Sequence, residues 1–326
     1  MTKLRPFISI AVGVLAAVVY GILARLAFGG DTTNGALGTL TIGFLCLVPL
    51  GLGALTVFSA STEQRLSWLY AAFMPLLACA IFVVLVAIFS WEAWICVIMA
   101  SPILGVASII GGTLMCLLFT LKDRLGGPQV NAILALLLLA PYFLTPLENR
   151  FPAPDLIRRL ESTIEVNADA ATVWRNIIRL LPISESEHPF GLFHLAGLPR
   201  PREAMLTHAG LGGARYGQWE QGLAFVGTIT DWKPDSGFTV RLTADTHAVQ
   251  ASPLPLKEIG GPHFDILDDT YTIESLPNGT VRLHLFSTYR LTTRFNAYGS
   301  LWTDFFLRDI QRHILQIVKG RAEAGQ

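Results

Sequence analysis

The chain of 326 residues carries 24 basic and 24 acidic side chains, so its formal net charge at pH 7 is zero. It has neither a basic tract nor an acidic tail, which excludes the electrostatic footprint of a protein that binds nucleic acid. Hydrophobic residues make up 52% of the sequence, and the length allows two domains.

The charged residues are divided unevenly along the chain. Only ten of them lie in residues 1–147, whereas the other 38 and all seven histidines lie in residues 148–326. The four cysteines all fall in the first half, so the second half has no disulfide framework and no thiolate metal site. The sequence therefore predicts an apolar membrane domain followed by a soluble domain.

Five apolar segments are long enough to be transmembrane helices, each of which needs roughly 20 residues. They cover about 7–28, 37–58, 66–89, 93–121 and 130–147. The first follows Lys3 and Arg5 and so resembles a signal peptide, but the four later segments favour a retained helix. The fifth is the shortest, and a re-entrant fifth segment is the alternative.

The basic residues of the short loops predict the orientation of these helices. A cytoplasmic N-terminus places five of them on the inner side: Lys3, Arg5, Arg65, Lys122 and Arg124. Five spans then carry the chain after residue 147 to the periplasmic or extracellular side of a membrane that we expect to be the bacterial inner membrane. If the fifth segment enters the membrane and leaves it on the same side, the soluble half is cytoplasmic.

The predicted spans carry no ionisable residue near their middles, which disfavours a transporter coupled to ions or protons. Small residues spaced four apart, Ser101 with Gly105 and Ser108 with Gly112, suit close packing of helices within one chain or between copies. The expected partners of this half are therefore membrane lipids and, through the helices, a second copy of the chain.

The pattern of apolar and polar residues changes after residue 147. Residues 148–161, which begin ENRFPAPDLIRR, are predicted to be a linker. Ile164 and Val166 then alternate with polar neighbours, as in a strand with one buried face. Asp169 is placed to cap a following helix that carries Val173 and Trp174 on its apolar stripe.

After a loop rich in Pro and Gly, six segments have the character of strands. They pair as AMLTHAG with GGARYGQWEQ, GLAFVGTITDWKP with GFTVRLTADTH, and FDILDDTYTIESL with TVRLHLFSTYRL, each pair joined by a turn signal. The final segment, LWTDFFLRDIQRHILQIVKGRAE, has helical periodicity. The order predicts an antiparallel sheet covered by a long C-terminal helix.

The segment IEVNADAATVWRNI resembles the opening of the START-like superfamily, also called the SRPBCC, polyketide cyclase or Bet v 1-like proteins. The matching residues are Val166, Ala168, Val173 and Trp174, with Asp169 where proline is common in the family. GLAFVGTITDWKP resembles the strand with a trailing Trp, and 300–320 resembles the closing helix. The resemblance covers about 162–320, leaving 321–326 as a tail, and does not extend to the apolar half.

The expected fold is thus an α-helical transmembrane bundle followed by an α+β helix-grip domain. The resemblance implies a curved antiparallel sheet around the C-terminal helix, with an apolar cavity between them. Five apolar residues share one face of the last strand: Val281, Leu283, Leu285, Tyr289 and Leu291, with Ser287 among them. A few polar groups on an apolar face suit a ligand pocket, and they occur in plain cores as well.

Two polar clusters outside that face have both a functional and a structural interpretation. Glu185, Glu187 and His188 lie in one loop and suit acid–base chemistry or a solvated turn. His263 and Asp265 flank Phe264 and share a strand face, where they would bind a ligand, contact each other or terminate the strand. A metal pair is disfavoured because no third ligand stands at the required spacing.

The densest polar grouping is 288–313, where the last strand turns into the C-terminal helix, and both local structure and ligand contact are expected there. The candidate ligand-binding residues of the domain are Trp219, Phe225, His263, Tyr271, Tyr289, Arg290, Thr293, Asn296 and Trp302. The sequence assigns no catalytic residue, metal ligand or cofactor.

The leading hypothesis is a membrane-anchored binding protein for a hydrophobic or amphipathic small molecule, such as a lipid. One alternative is a cyclase-like or hydrolase-like enzyme on the same fold, since fold alone does not determine function. Another is an interaction or stress-response module that binds no ligand and regulates the membrane half. The first two require a cavity on the order of several hundred cubic ångströms.

Overall fold

The computed structural model describes residues 5–29, 38–125, 129–249, 254, 256–277 and 279–325. It divides into two compact units, Met1–Pro152 and Ala153–Gln326. The boundary falls inside the segment predicted to be a linker.

The first unit is helical. Its elements are α1 (Arg5–Phe28), a π-helical turn (Gly43–Leu47) that continues into α2 (Val48–Phe58), α3 (Thr62–Arg65), α4 (Trp68–Ile88), α5 (Trp94–Leu125) and α6 (Val130–Glu148). Among the described residues, four helices are long and apolar enough to cross a membrane: Phe7–Phe28, Trp68–Ile88, Trp94–Asp123 and Val130–Glu148.

The second of the five predicted spans, about 37–58, is not among these four helices. The apolar helix Gly43–Phe58 is one of the shorter apolar helices, those of 10–17 residues. At 1.5 Å per residue it reaches at most about 26 Å, less than the roughly 30 Å of a hydrocarbon core. Its residues are buried by the other helices, and Leu52, Ala54 and Val57 have no exposed surface. Hydropathy alone cannot separate such a central helix from a lipid-facing span.

The short helix still runs from one end of the bundle to the other. At its start, the amides of Ile42 and Gly43 donate to the carboxylate of Glu148 at the end of α6, over 3.0 and 3.4 Å. At its end it meets the beginning of α1, where a Cβ on Gly13 would lie 3.0 Å from the carbonyl oxygen of Thr56. This helix and α1 are therefore antiparallel.

The contacts of α1 give the direction of α4. Ser9 Oγ, near the start of α1, donates to Gln64 Oε1 of α3, just before α4, at 2.9 Å. The Arg25 guanidinium, near the end of α1, binds Glu92, just after α4, at 2.8 Å. These two helices, α1 and α4, are parallel. Counted together with the short helix Gly43–Phe58, the four long helices make five passes from one end of the bundle to the other. The two ends of the first unit consequently lie at opposite ends of the bundle.

Small residues bring α2 and α5 into contact. A Cβ added to Gly53 would lie 1.9 Å from the carbonyl oxygen of Ser108, and one added to Gly111 would lie 1.9 Å from that of Leu50. Gly112 is equally close to α4, because its added Cβ would lie 2.3 Å from the carbonyl oxygen of Ala71. The small residues of α5 thus pack helices of one chain together.

The second unit contains a seven-stranded antiparallel sheet in the order β1-β7-β6-β5-β4-β3-β2. The strands are β1 (Asp155–Val166), β2 (Pro201–Leu206), β3 (Ala214–Trp219), β4 (Ala224–Lys233), β5 (Gly237–Asp245), β6 (Phe264–Ser275) and β7 (Val281–Thr292). The predicted linker 148–161 is too long, because β1 begins at Asp155. The error arose because β1 is an edge strand, where charged residues such as Arg158 are tolerated.

The helices α7 (Ala170–Ile178) and α9 (Asn296–Glu323) pack on this sheet, and the short helix α8 (Leu192–Leu195) packs against α9. Asp169 caps α7 as predicted, with its side chain accepting from the amide of Thr172 at 2.6 Å. The long helix α9 packs against β1 and β7 and extends past residue 320, into the predicted tail. The predicted fold class, a helical bundle followed by a helix-grip domain, is confirmed.

Candidate functional site

The face of the sheet that turns toward the helices, here called the inner face, has a closed half and an open half. In the closed half, Phe238, Leu283 and Leu285 are buried in a core with Leu315 of α9 and with Trp174 of α7. Trp174 meets the rings of Trp232 and Phe238 edge-on, at centroid distances of 4.9 and 6.0 Å. This half is filled by side chains and leaves no room for a ligand.

The open half lies toward the beginning of α9. Its inward-facing side chains are partly exposed rather than buried: Trp219, Leu242, Ala244, Phe264 and Ile266 from the strands, and Phe306 and Ile310 from α9. Large apolar side chains that face inward and remain accessible are what a binding groove for an apolar ligand presents. A ligand cavity between sheet and helix remains a prediction, and this half is where it would lie.

A row of polar side chains separates the two halves. Ser162 Oγ of β1 donates to Gln311 Oε1 of α9 at 2.8 Å, and Gln311 Nε2 donates to Ser287 Oγ of β7 at 2.9 Å. Ser287 Oγ in turn donates to Asp269 Oδ1 of β6 at 2.6 Å. Every donor points the same way, so the row ends on the carboxylate of Asp269 and holds it in place.

The carboxyl of Asp269 is surrounded by protein, although the residue as a whole is partly exposed. Burial raises the pKa of this carboxyl to about 6, against the opposing effects of the bond from Ser287 and the charge of Arg215. A carboxyl group with a raised pKa beside a groove is the kind of residue that functional sites contain.

Arg215 lies on the inner face of β3, opposite Gly227 of β4, and only 8% of its surface is exposed. Its guanidinium carbon lies 5.1 Å from the ring centroid of Phe238 and 5.3 Å from that of Tyr271. Burial raises the pKa of Tyr271, and the nearby Arg215 opposes that rise. The site thus holds a buried cation, a phenol and a carboxyl.

Four of the predicted ligand-binding residues lie on the inner face. Trp219 and Phe225 meet edge-on at 6.0 Å at the β3–β4 side, and Tyr271 stacks on Phe238 at 5.1 Å near the centre. Tyr289 is fully buried, and its hydroxyl donates to Asp304 Oδ1 of α9 at 2.6 Å. A fifth candidate, Trp302, stacks on Phe306 of α9 at 6.3 Å.

The other four candidates have structural partners. Arg290 points to the opposite face of β7 and donates to the carbonyl of Gly261 at 2.8 Å, and His263 Nδ1 lies 3.2 Å from the carbonyl oxygen of Thr292. Thr293 and Asn296 bond to each other where β7 meets α9, and Asn296 also donates to the carbonyl of Pro154. Their ligand role remains a prediction, and their observed bonds form the junction between strand and helix.

The loop that carries Glu187 and His188 is fastened to α9. Glu187 pairs with Arg321 at 2.6 Å, and the bond from Arg321 lowers the pKa of Glu187 to about 2. His188 Nδ1 lies 3.0 Å from His313 Nε2, and the two rings are stacked at 5.2 Å. The structural interpretation of this cluster is therefore favoured over acid–base chemistry.

His313 is buried, with 1% of its surface exposed, and Phe193 packs edge-on against its ring. Burial and the neighbouring His188 and Arg200 lower the pKa of His313 to about 4, although Asp309 acts in the other direction. Burial, together with the charge of Arg200, lowers the pKa of His188 as well, so both rings of the pair are neutral near pH 7.

Sequence reasoning missed Asp269, Arg215 and Gln311. The alternation of Tyr271 and Ile273 on β6 could have indicated Asp269 as a third residue of the same face. A bulge between Ile266 and Asp268 shifts the register, however, so the face cannot be followed from the start of the strand. No local signal marks Arg215 or Gln311 as inward-facing.

Two further observations concern other kinds of site. No group of three His, Cys, Asp or Glu side chains among the described residues could hold a metal ion. The first unit contains a recess of about 90 Å³ beside the Arg25–Glu92 ion pair and an open one of about 290 Å³ beside Glu148.

Comparison with known proteins gives matches to solved structures. No protein-family model matches the sequence, and no curated protein matches it either. A START superfamily protein from Mycobacterium smegmatis is similar at 12% identity and a TM-score of 0.36, over 52% of this chain and 99% of that one. Ara h 8.0201 is similar at 8% identity and a TM-score of 0.32, over 52% and 99%.

A protein from Rhizobium leguminosarum is similar at 14% identity and a TM-score of 0.32, over 53% of this chain and 99% of that one. These likenesses extend over about half of the chain. The helix-grip architecture of the second unit rests on its own strand order and on the packing of α9 against β1 and β7.

Proposed function

We propose that the second unit binds an apolar or amphipathic small molecule in the open half of its inner face. The observation that carries this proposal is the set of large inward-facing side chains, among them Trp219, Phe264 and Phe306, that stay partly exposed beside a buried polar row. A ligand that covers them removes apolar surface from water on both partners, at about 0.8 kcal/mol per buried methylene.

The helices of the first unit would anchor this binding domain to a membrane. Five crossings of the bundle put the end of α6 opposite the N-terminus, and Arg65 lies at the N-terminal end near Ser9 and Gln64. Basic loop residues favour the cytoplasmic side, which supports a periplasmic or extracellular binding domain on a bacterial inner membrane. Tethering would keep a lipid-derived ligand at a high local concentration.

A reporter fused to the C-terminus tests this sidedness. Alkaline phosphatase should be active there and a cytoplasmic fluorescent reporter should be inactive, whereas the N-terminal fusions should behave in the opposite way. Cytoplasmic activity of both fusions would contradict five crossings.

Ligand binding is tested by native mass spectrometry of the purified full chain, followed by extraction and identification of bound lipids. We expect a co-purified apolar molecule that Ala244→Trp displaces, because the new ring fills the open half. Thr243→Trp is the matched control, since Thr243 is exposed on the opposite face of the same strand. An empty wild-type chain, or equal loss in both variants, would remove the support for this function.

Catalysis is the second candidate function, and Asp269 is the observation that favours it. A buried carboxyl whose pKa is about 6 can exchange protons near neutral pH. If the domain is an enzyme, Asp269→Asn should accumulate an unconverted molecule that differs chemically from the one bound to wild type. Identical molecules in both proteins would favour binding alone.

A further inference from the structure

We propose that the open half recognises an amphiphile with a terminal anionic group, a carboxylate or a phosphate, which binds to the guanidinium of Arg215. This inference rests on the proposed binding function and names the chemistry of the ligand's polar end.

The charge balance around Arg215 favours an anionic ligand. A cation that is 8% exposed normally has an anionic partner, because a desolvated charge is costly to leave uncompensated. The ion pairs of the described second unit are formed by other residues and do not include Arg215. The faces of Phe238 and Tyr271 attract the guanidinium, and Tyr271 is also hydrogen-bonded to it, but neither ring supplies a full negative charge.

The inner face next to Arg215 carries a glycine instead of a side chain. Gly217, the next inward-facing position on β3, is partly exposed. A Cβ added there would meet nothing nearer than the carbonyl oxygen of Phe225 at 3.8 Å. The indole Nε1 of Trp219 lies 3.9 Å from the same added atom, so the inner face has room for a small group between the guanidinium and the indole. An apolar chain that lies along the open half can bring its terminal group into that position.

Asp269 lies close enough to Arg215 to respond to an anion bound there. Its carboxylate attracts Arg215 without forming an ion pair, and the row from Ser162 through Gln311 and Ser287 keeps it in place. An anion bound at Arg215 would repel the negative charge of Asp269, so the carboxyl would take up a proton from solvent. The protonated carboxyl becomes a donor to the ligand's oxygen, while Arg215 compensates the remaining negative charge.

The test uses the purified full chain in amphipol, with amphipol alone as the blank, and three probes with the same ten-carbon chain: decanoate, decyl phosphate and decanol. We expect wild type to bind at least one of the two anions more tightly than decanol, and the stronger anion identifies the head group. Arg215→Met keeps much of the apolar stem and removes the charge. It should weaken binding of that anion roughly 10- to 100-fold and leave decanol unchanged.

Arg241→Met is the matched control, because Arg241 is exposed on the opposite face of β5. It should bind all three probes as wild type does. Equal binding of decanol and both anions by wild type, or equal anion binding by wild type and Arg215→Met, would overturn this inference and leave the binding function intact. If wild type binds none of the probes, the binding function itself loses its support.

A second measurement does not depend on the folding of Arg215→Met. Calorimetry of anion binding to wild type at pH 7, in two buffers of different ionisation enthalpy, should show net proton uptake. Asp269→Asn should bind the anion without that uptake. Anion binding to wild type with no change in bound protons would refute the proposed role of Asp269.

Discussion

We predict that α9 of the wild-type chain loses stability on acidification, and that the substitution His313→Gln removes this loss. His313 is buried against Phe193 and bonded to His188, and its pKa is about 4 instead of the ordinary 6.5. Between these two values the unfolded segment binds more protons than the folded one, so the stability of the folded state falls as the pH falls.

The expected size follows from the pKa shift. One pKa unit corresponds to about 1.4 kcal/mol, and pH 5 lies about 1.5 units below the ordinary value, so His313 contributes a loss of about 2 kcal/mol at pH 5. Asp269 acts in the opposite direction, because its raised pKa of about 6 makes the folded state bind more protons between pH 4 and 6. Both chains contain Asp269, so its contribution cancels in their difference.

Hydrogen exchange measured by mass spectrometry on the full chain in nanodiscs gives the opening free energy of α9. After correction for the intrinsic exchange rates, the fall in the opening free energy of α9 from pH 7 to pH 5 should be about 2 kcal/mol smaller in His313→Gln than in wild type. His247→Gln, which alters an exposed histidine, is the control and should behave as wild type. The same pH effect in wild type and His313→Gln would refute the reasoning.

Three further predictions concern packing. Trp174→Ala should destabilise the second unit by about 3–5 kcal/mol in hydrogen exchange of β5, and a loss below about 1 kcal/mol would contradict its place in the core. Gly111→Ala should lower the midpoint of thermal unfolding in detergent, because its Cβ would lie 1.9 Å from the carbonyl oxygen of Leu50. Gly105→Ala is the control and should not lower it. Equal midpoints for the two variants would argue against this helix contact. Tyr289→Phe removes the bond to the carboxylate on α9 and should lower its opening free energy by about 1–3 kcal/mol, and unchanged exchange would mean that this bond contributes nothing.

Patterns that repeat along the chain predicted much of the architecture. The apolar runs indicated the helical half, because the bilayer requires length and hydropathy that a sequence displays directly. Asp169 was identified as a helix cap because capping involves residues only three apart. The alternation in β7 predicted its inward face correctly, since that strand is regular along its length.

The buried polar groups of the site escaped prediction because their placement depends on contacts between distant residues. The row from Ser162 to Asp269 joins β1, α9, β7 and β6, and His188 meets a partner 125 positions away. In β6, the bulge after Ile266 broke the period on which a prediction of the face would rest. The burial of Gly43–Phe58 likewise depends on the helices around it.

The sequence by itself determined that an apolar helical half precedes a sheet domain covered by a long helix, because periodicity and hydropathy are local properties of a chain. Only the tertiary structure decided that the inner face is half closed and half open, and that Arg215 and Asp269 lie on it. Those features arise from strand register and from packing between distant segments, which no single stretch of sequence contains.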